Sequence, residues 1–428
     1  MSQRRKVLVI AEAANPEWVS VPLVGWSLAC ALRGVADVHI VTHSRNRDAF
    51  LRAGQVEGRD FTAINSDAVA GPLWKLGEWL RMGEGKGFTA LQATAALAYP
   101  YFERQVWRRF GADIAAGHYD VVHRVTPLSP TAPSPLARRC ARAGVAFVLG
   151  PLNGGVPWPK GFEAERRRER EWLSYVRGAY RLLPGRGATL RHAAAIIAGS
   201  RHTASEVPAR YAQKCVYIPE NGIDPARFSR VAAPEGPVLS ACFLGRMVPY
   251  KGPDMLLEAA LPLLQAGRLR LEMIGDGPLL GDLKAYAAAQ GVDGAVTFHG
   301  WLAHGAVQDV MAGCHLLAFP SVREFGGGVV LEAMALGVVP MVVDYAGPGE
   351  LVRDEWGIKL PLGARDEIVA EFARALARVA GDPAAIAPLA GAGRARVAAA
   401  YTWARKAEQV AAVYDWVLNE GQKPAPFE

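Results

Sequence analysis

The chain is poor in cysteine, and the few it has are not paired. Five cysteines stand among 428 residues, at Cys30, Cys140, Cys215, Cys242 and Cys314. Their number is odd and none is spaced Cys-x-x-Cys, which excludes both a disulfide framework and a zinc ribbon or finger. Three lie within or beside apolar runs, the setting of an inert buried thiol. Uncharged stretches long enough to span a bilayer are absent. Arg4-Arg5-Lys6 followed by Val7–Ile10 imitates the start of a secretory leader, but the apolar run is too short and Glu12 interrupts it. The expected location is cytoplasmic, at most peripheral on the inner membrane face. No fixed short repeat, low-complexity tract or basic tail occurs, and no RNP-like or zinc-finger pattern, so nucleic acid is not an expected partner. The net charge of +7 still permits attraction to an anionic membrane surface.

What is present is alternation. Short apolar runs at Lys6–Ala11, Val35–Thr42, Val121–Val125, Val145–Leu149, Ala195–Gly199 and Val216–Pro219 read as strands. A second series follows at Val238–Leu244, Arg270–Gly275, Val296–His299, His315–Pro320 and Val338–Asp344. Longer helical patterns separate them, which predicts α/β architecture with parallel sheets and crossover helices. Asp224–Pro237 carries three prolines and no periodicity, a boundary between two domains. The expected ranges are 1–225 and 237–400, followed by an amphipathic helix over 401–420. That helix presents Trp403, Ala407, Val410, Ala411, Tyr414, Val417 and Leu418 as one apolar stripe.

The charge-dense segment Phe162–Arg181 balances Arg166-Arg167-Arg168 with Glu163, Glu165, Glu169 and Glu171, a solvated salt-bridged face. Beyond it Arg177, Arg181, Arg186 and Arg191 lack nearby acids and are candidates for an anionic lipid or phosphorylated acceptor. The Trp158-Pro159-Lys160 loop is a further candidate for a lipid surface.

The most informative stretch is Glu324-Phe-Gly-Gly-Gly-Val-Val-Leu-Glu332, with a buried strand before it and a helix from Val329 after it. N–H groups at a helix start are unpaired and attract anions, and glycine lets a ligand approach the backbone. A carboxylate in the first turn can take two neighbouring hydroxyls. Upstream, a strand delivers Gly245-Arg246, and Lys251-Gly252 sits at the mouth of the next helix. Loops at strand C-termini line the ligand crevice of open α/β sheets, so Arg246 and Lys251 are expected beside Glu324 and Glu332. Two fixed cations suit a diphosphate.

Gly-Arg-Met-Val-Pro-Tyr-Lys-Gly (245–252), Ile-Gly-Asp-Gly-Pro-Leu (274–279), Phe-His-Gly-Trp (298–301) and the run 319–335 resemble the retaining glycosyltransferases of family 4. So do Pro219–Asp224 and Tyr401-Thr-Trp403. The resemblance implies the GT-B architecture: two Rossmann-like domains with parallel sheets facing a central cleft, and a C-terminal helix crossing back to the first domain. It implies an enzyme that moves a hexosyl group from a nucleoside-diphosphate sugar to a glycan or lipid-linked acceptor, with no cofactor and no metal. The absence of an Asp-x-Asp cluster agrees with this. Arg246, Lys251 and Glu324 would then be catalytic. Glu332, Phe325, Gly326, Gly327, Gly300 and Trp301 would bind the donor, with His123 and Asn153 on the acceptor side. Retention would proceed on one face, the departing phosphate receiving the acceptor's proton.

The first half departs from the pattern. Its first loop, Asn15–Gly25, has one glycine where the family places neighbouring ones. His123 is followed by Arg124 and Val125, so a second histidine two residues on is missing. A sugar-nucleotide epimerase, a phosphorylase or an oxidoreductase remains as an alternative. For the last, Gly275-Asp-Gly-Pro-Leu-Leu-Gly281 has its third glycine one residue late, and no acidic residue follows to take a ribose.

Overall fold

The structure, a computed structural model, describes residues 4–68, 71, 88–168, 184–234 and 236–427. It divides into two compact units. The first comprises Met1–Gly155, Arg170–Glu220 and Trp403–Glu428; the second comprises Val156–Glu169 and Asn221–Thr402.

The first unit holds seven parallel strands: β1 (Lys6–Ala11), β2 (Asp37–His43), β3 (Phe61–Ile64), β4 (Val121–Thr126), β5 (Ala146–Leu152), β6 (Ala195–Ala198) and β7 (Cys215–Tyr217), in the order β3-β2-β1-β4-β5-β6-β7. Successive residues of β1 serve opposite faces. Val7 and Val9 pack with Leu28, Val410 and Tyr414, whereas Leu8 and Ile10 pack with Phe102, Leu136 and Phe147. Helices therefore cover both faces, the condition under which parallel strands become continuous apolar runs. The terminal helix Trp403–Val417 belongs to this unit and buries Ala407, Val410, Val413 and Tyr414. Val413 takes the core position expected of Ala411, which is only half-buried.

The second unit holds six parallel strands: β8 (Leu239–Leu244), β9 (Leu269–Ile274), β10 (Val296–Gly300), β11 (Leu316–Phe319), β12 (Val339–Val343) and β13 (Ile358–Leu360), in the order β10-β9-β8-β11-β12-β13. β11 and β12 are buried throughout. Both units are Rossmann-like, and the α/β class read from the alternation is correct.

Two differences concern strands. The sequence shows no sign of β3 or β13, one of the two outer strands of each sheet. A short edge strand needs no continuous apolar run, and Ile-Lys-Leu of β13 alternates instead. Two more concern the ranges expected for the domains. The chain passes into the second unit after Glu220, ahead of the proline-rich stretch, and Val156–Glu169 joins the second unit although it follows β5. Of the charged segment, Glu163–Arg168 is helical; Glu169, Glu171, Arg177 and Arg181 lie outside the described residues. Arg186 was expected at the surface but is buried, since it opens the helix Arg186–His192 that packs against Pro135–Arg142.

Candidate active site

In each sheet the strand order reverses once. In the second unit this happens at β8, from which the chain winds outward to β9 and β10 and then returns to β11 on the other side. Loops leaving the C-terminal ends of the two strands at such a switch point diverge and open a crevice. The loop after β8 runs from Gly245 to Gly252 and carries Arg246 and Lys251. The loop after β11 runs from Pro320 to Gly327 and carries Glu324.

The structure brings Lys251 and Glu324 into direct contact, Nζ against Oε2, each side chain 17% exposed. Lys251 Nζ also lies 5.2 Å from the centre of the Phe319 ring. Burial pushes the Lys251 ammonium down to about 7, while the carboxylate against it acts in the opposite sense. A pair of this kind is poised: each partner holds the other until a stronger or additional counter-charge arrives. The two loops are fastened through Tyr250, whose carbonyl accepts from Val322 N at 3.0 Å and from Ser321 Oγ at 3.2 Å.

Arg246 is exposed on the same loop as Lys251. The helix after Glu324 spans Gly328–Leu336, with Gly327 as its N-cap at φ +59°. Glu332 is thus the fifth helical residue, at the start of the second turn rather than in the first, and is half-buried. Phe325 and Gly326 are half-buried just ahead of the N-cap. The turn is held by Gly347 N donating to the Glu324 carbonyl at 3.2 Å. Gly300 ends β10, and its carbonyl accepts from Gly275 N at 2.8 Å; Trp301 is 72% exposed.

The Gly275-Asp-Gly277 turn has a structural purpose. A Cβ on Gly275 would lie 2.0 Å from the Gly245 carbonyl oxygen, and one on Gly277 would lie 2.7 Å from the Met247 carbonyl oxygen. These glycines let the loops after β8 and β9 touch, so nothing in the turn requires a dinucleotide.

Neither candidate from the first unit belongs to a loop at that unit's own reversal: His123 lies within β4, and Asn153 follows the C-terminal end of β5. β4 spans Val121–Thr126, so His123 is mid-strand, and it is fully buried. Its Nε2 lies 2.6 Å from the Gly150 carbonyl and its Nδ1 2.6 Å from Tyr414 Oη. A carbonyl only accepts, so Nε2 carries the proton and the tyrosine donates to Nδ1. Burial pushes the imidazole down to about 4, which keeps it neutral. His123 is a core residue, not an acceptor contact. Asn153 closes a turn, Oδ1 accepting from Gly155 N at 3.0 Å, while its own N–H donates to Leu128 O at 2.7 Å. Gly25 lies inside the helix Val21–Ala31, not before it, and a Cβ there would meet the Ala13 carbonyl oxygen at 2.3 Å.

Sequence reasoning missed Arg323. It is 9% exposed, beside Glu324, with its guanidinium among the rings of Trp158, Tyr250 and Phe325. Trp158 was expected to meet lipid. It is half-buried against Tyr250, ring centres 6.0 Å apart. In the sequence Arg323 is simply an arginine between Val322 and Glu324. Two of its three ring partners, Trp158 and Tyr250, lie far away in the chain.

Among the described residues no group of three or more His, Cys, Asp or Glu is placed to hold a metal ion, and no helix is long and apolar enough to cross a membrane. The five cysteines are free thiols, and burial pushes that of Cys140 up to about 12.

Residues 239–382 match the family described as glycosyl transferases group 1. The chain is 32% identical over 247 residues to the 2-deoxystreptamine glucosyltransferase of Streptomyces kanamyceticus, covering 54% of this chain and 62% of that protein. It is 33% identical over 198 residues to the D-inositol 3-phosphate glycosyltransferase of Rhodococcus opacus (strain B4), 43% of each chain. The matches thus span about three fifths or less of these relatives' length. Anabaena Alr3699/HepE, solved in complex with UDP, shares the fold at TM-score 0.60 and 17% identity over 95% of this chain and 98% of its own. A glycosyltransferase from Rickettsia africae does so at TM-score 0.65 and 14% identity, over 98% and 100%. Residues 239–382 of the second unit thus match the glycosyl transferases group 1 domain, on a chain with the fold of the GT-B glycosyltransferases.

Proposed function

We propose that the chain is a retaining hexosyltransferase of family 4. It moves the sugar of a nucleoside diphosphate, with UDP or GDP as the carrier, to an acceptor hydroxyl in cell-surface polysaccharide or glycolipid synthesis. The observation that carries this reading is the Lys251–Glu324 contact at the strand-order reversal of a glycosyl transferases group 1 domain. UDP in the structurally similar Alr3699/HepE supports a nucleotide-sugar donor.

Lys251 and Arg246 receive the diphosphate and offset its growing charge as the glycosidic bond breaks. Glu324, released from Lys251 by the incoming phosphates, takes hydroxyls of the donor sugar, together with the N–H groups of Phe325, Gly326 and Gly327. Glu332 takes the ribose hydroxyls, and Gly300-Trp301 lies along the base. Positive charge comes from side chains, so no divalent metal or other cofactor enters the reaction. Transfer with retention needs no protein nucleophile, because the leaving phosphate accepts the proton of the incoming hydroxyl. Orientation and electrostatic stabilisation do the rest.

An anionic membrane surface at the cytoplasmic face fits the first unit. Arg104, Arg108, Arg138, Arg142 and Arg191 are exposed on three helices that pack in one layer, and none forms an ion pair among the described residues. The only exposed acid on the described side chains of these helices is Asp113. Juxtaposed cations of this kind contribute about 1 kcal/mol each at an anionic leaflet.

The test is a panel of UDP- and GDP-hexoses with lipid-linked and soluble glycan acceptors. Release of nucleoside diphosphate and the anomeric coupling in the product are followed by NMR. One α-linked product per diphosphate released from an α-configured donor is expected. A β-linked product would sink the retaining mechanism, and no release with any donor would sink the transferase reading.

A further inference from the structure

Arg323 stands outside the assigned roles, yet it is the buried cation nearest in sequence to the acid of the pair. Its guanidinium carbon is 5.1 Å from the centre of the Trp158 ring, 5.5 Å from that of Phe325 and 5.9 Å from that of Tyr250. Its Nε points to the Val156 carbonyl at 3.5 Å, a long contact. Two of these rings are chain neighbours of the pair: Tyr250 precedes Lys251, and Phe325 follows Glu324. The third ring and the carbonyl come from Val156–Glu169, a strap that also ties to the loop after β12 (Tyr345 Oη to Pro157 O, 3.0 Å). The helix that follows this loop, Ala346–Leu351, holds the Glu324 carbonyl through Gly347 N.

A guanidinium within about 6 Å of an aromatic face is attracted to it, more so when water is excluded. With three rings around it, the planar cation has few other poses, and a compact ammonium does not reproduce its stacking. Lys251 and Glu324 belong to different loops, so their contact persists only while those loops keep a fixed spacing. Arg323 touches a residue from each loop and one from the strap.

We propose that Arg323 is a positioning residue. It locks the loops after β8 and β11 to each other and to the 156–169 strap, and so holds Lys251 against Glu324 in the geometry that receives the donor diphosphate. Arg323 itself touches no substrate. The inference rests on the donor-site reading for its consequence in turnover, but not for its effect on Lys251.

The experiment compares wild type with Arg323→Met, Arg323→Lys and Trp158→Leu in the full chain. The pH midpoint of Lys251 acylation by an amine-reactive reagent is read by peptide mass spectrometry, alongside thermal midpoint and transfer kinetics. Arg323→Met is expected to raise the acylation midpoint by at least one pH unit as Lys251 becomes hydrated. It should also lower kcat roughly 10- to 100-fold with donor KM within about threefold, the scale of a small misplacement of catalytic groups. Arg323→Lys should recover part of both losses, and Trp158→Leu should show the same changes in smaller degree. A lower thermal midpoint with an unchanged Lys251 midpoint and unchanged kcat per folded molecule would reduce Arg323 to a fold stabiliser and overturn the inference. If wild type transfers no sugar, the transferase reading fails, and the acylation midpoint alone still decides the role of Arg323.

Discussion

The two units use one topology for different chemistry. Counted within each sheet, both run 3-2-1-4-5-6, with a seventh strand added in the first, and both reverse at the first strand. In the second unit the loops at that reversal carry a lysine and a glutamate in contact. In the first, the loop after β1 is tied to the end of β4 and to the segment after β2 by neutral groups, while its Glu12 pairs with Arg45. Ala13 N donates to Thr126 Oγ1 at 3.0 Å, and the buried Asn15 donates to Asn46 Oδ1 at 3.3 Å. The titratable residues of β4 turn inward instead. His123 is neutral in the core, and Arg124 is buried, donating to the Ala132 carbonyl at 2.8 Å. The position of a crevice follows from strand order, but what it can bind follows from the side chains its loops bring there.

This contrast can be broken from either side. The largest effect is expected in the second unit: Lys251→Ala or Arg246→Ala should lower kcat roughly 10²- to 10³-fold, as loss of an oxyanion donor does, without moving the thermal midpoint downward. Wild-type turnover in either variant would remove the substituted residue from the reaction. Next, Glu332→Ala should weaken donor affinity by about 1.5–3 kcal/mol, the value of a hydrogen bond to a charged group, seen by calorimetric titration with little change in kcat. In the first unit the losses should be of stability instead. Tyr414→Phe leaves His123 Nδ1 without its donor and should cost about 1–3 kcal/mol in chemical denaturation, while turnover per folded molecule stays near wild type.

The same histidine gives a pH dependence. Its folded pKa near 4 lies below the ordinary histidine value, so between the two the unfolded chain binds the extra proton. Its contribution is fully present above about 6.5 and is lost as pH falls towards 4, at about 1.4 kcal/mol per pH unit. Denaturation of wild type and His123→Leu across that window should show the wild-type slope exceeding the variant's; equal slopes would mean the imidazole is not buried neutral. The smallest effect is expected at the arginine layer, where Arg138→Ser with Arg142→Ser should reduce co-sedimentation with phosphatidylglycerol vesicles several-fold and leave phosphatidylcholine vesicles unaffected.

How much was legible in the sequence differs between the units for a physical reason. Lys251, Glu324 and the glycines around them occupy short loops next to strands that are almost wholly apolar, so a local pattern revealed both the strand ends and the charges. His123 lies within a run readable as a strand, but only its partner Tyr414, from far along the chain, shows why it is buried. Arg323 and Trp158 show the same limit. Their meeting depends on the 156–169 strap joining the second unit, and no local spacing encodes that. The edge strands β3 and β13 escaped because each is only three or four residues long and has its apolar residues interrupted, by Thr62 in one and Lys359 in the other.

The central claim is that Lys251 and Glu324 form the receiving end of a nucleoside-diphosphate site, and isothermal titration of UDP and GDP into wild type and Lys251→Ala tests it most directly. One equivalent of one diphosphate should bind wild type, at least tenfold more tightly than it binds the variant. Equal affinity in the two proteins, or no binding of either diphosphate to wild type, would contradict it.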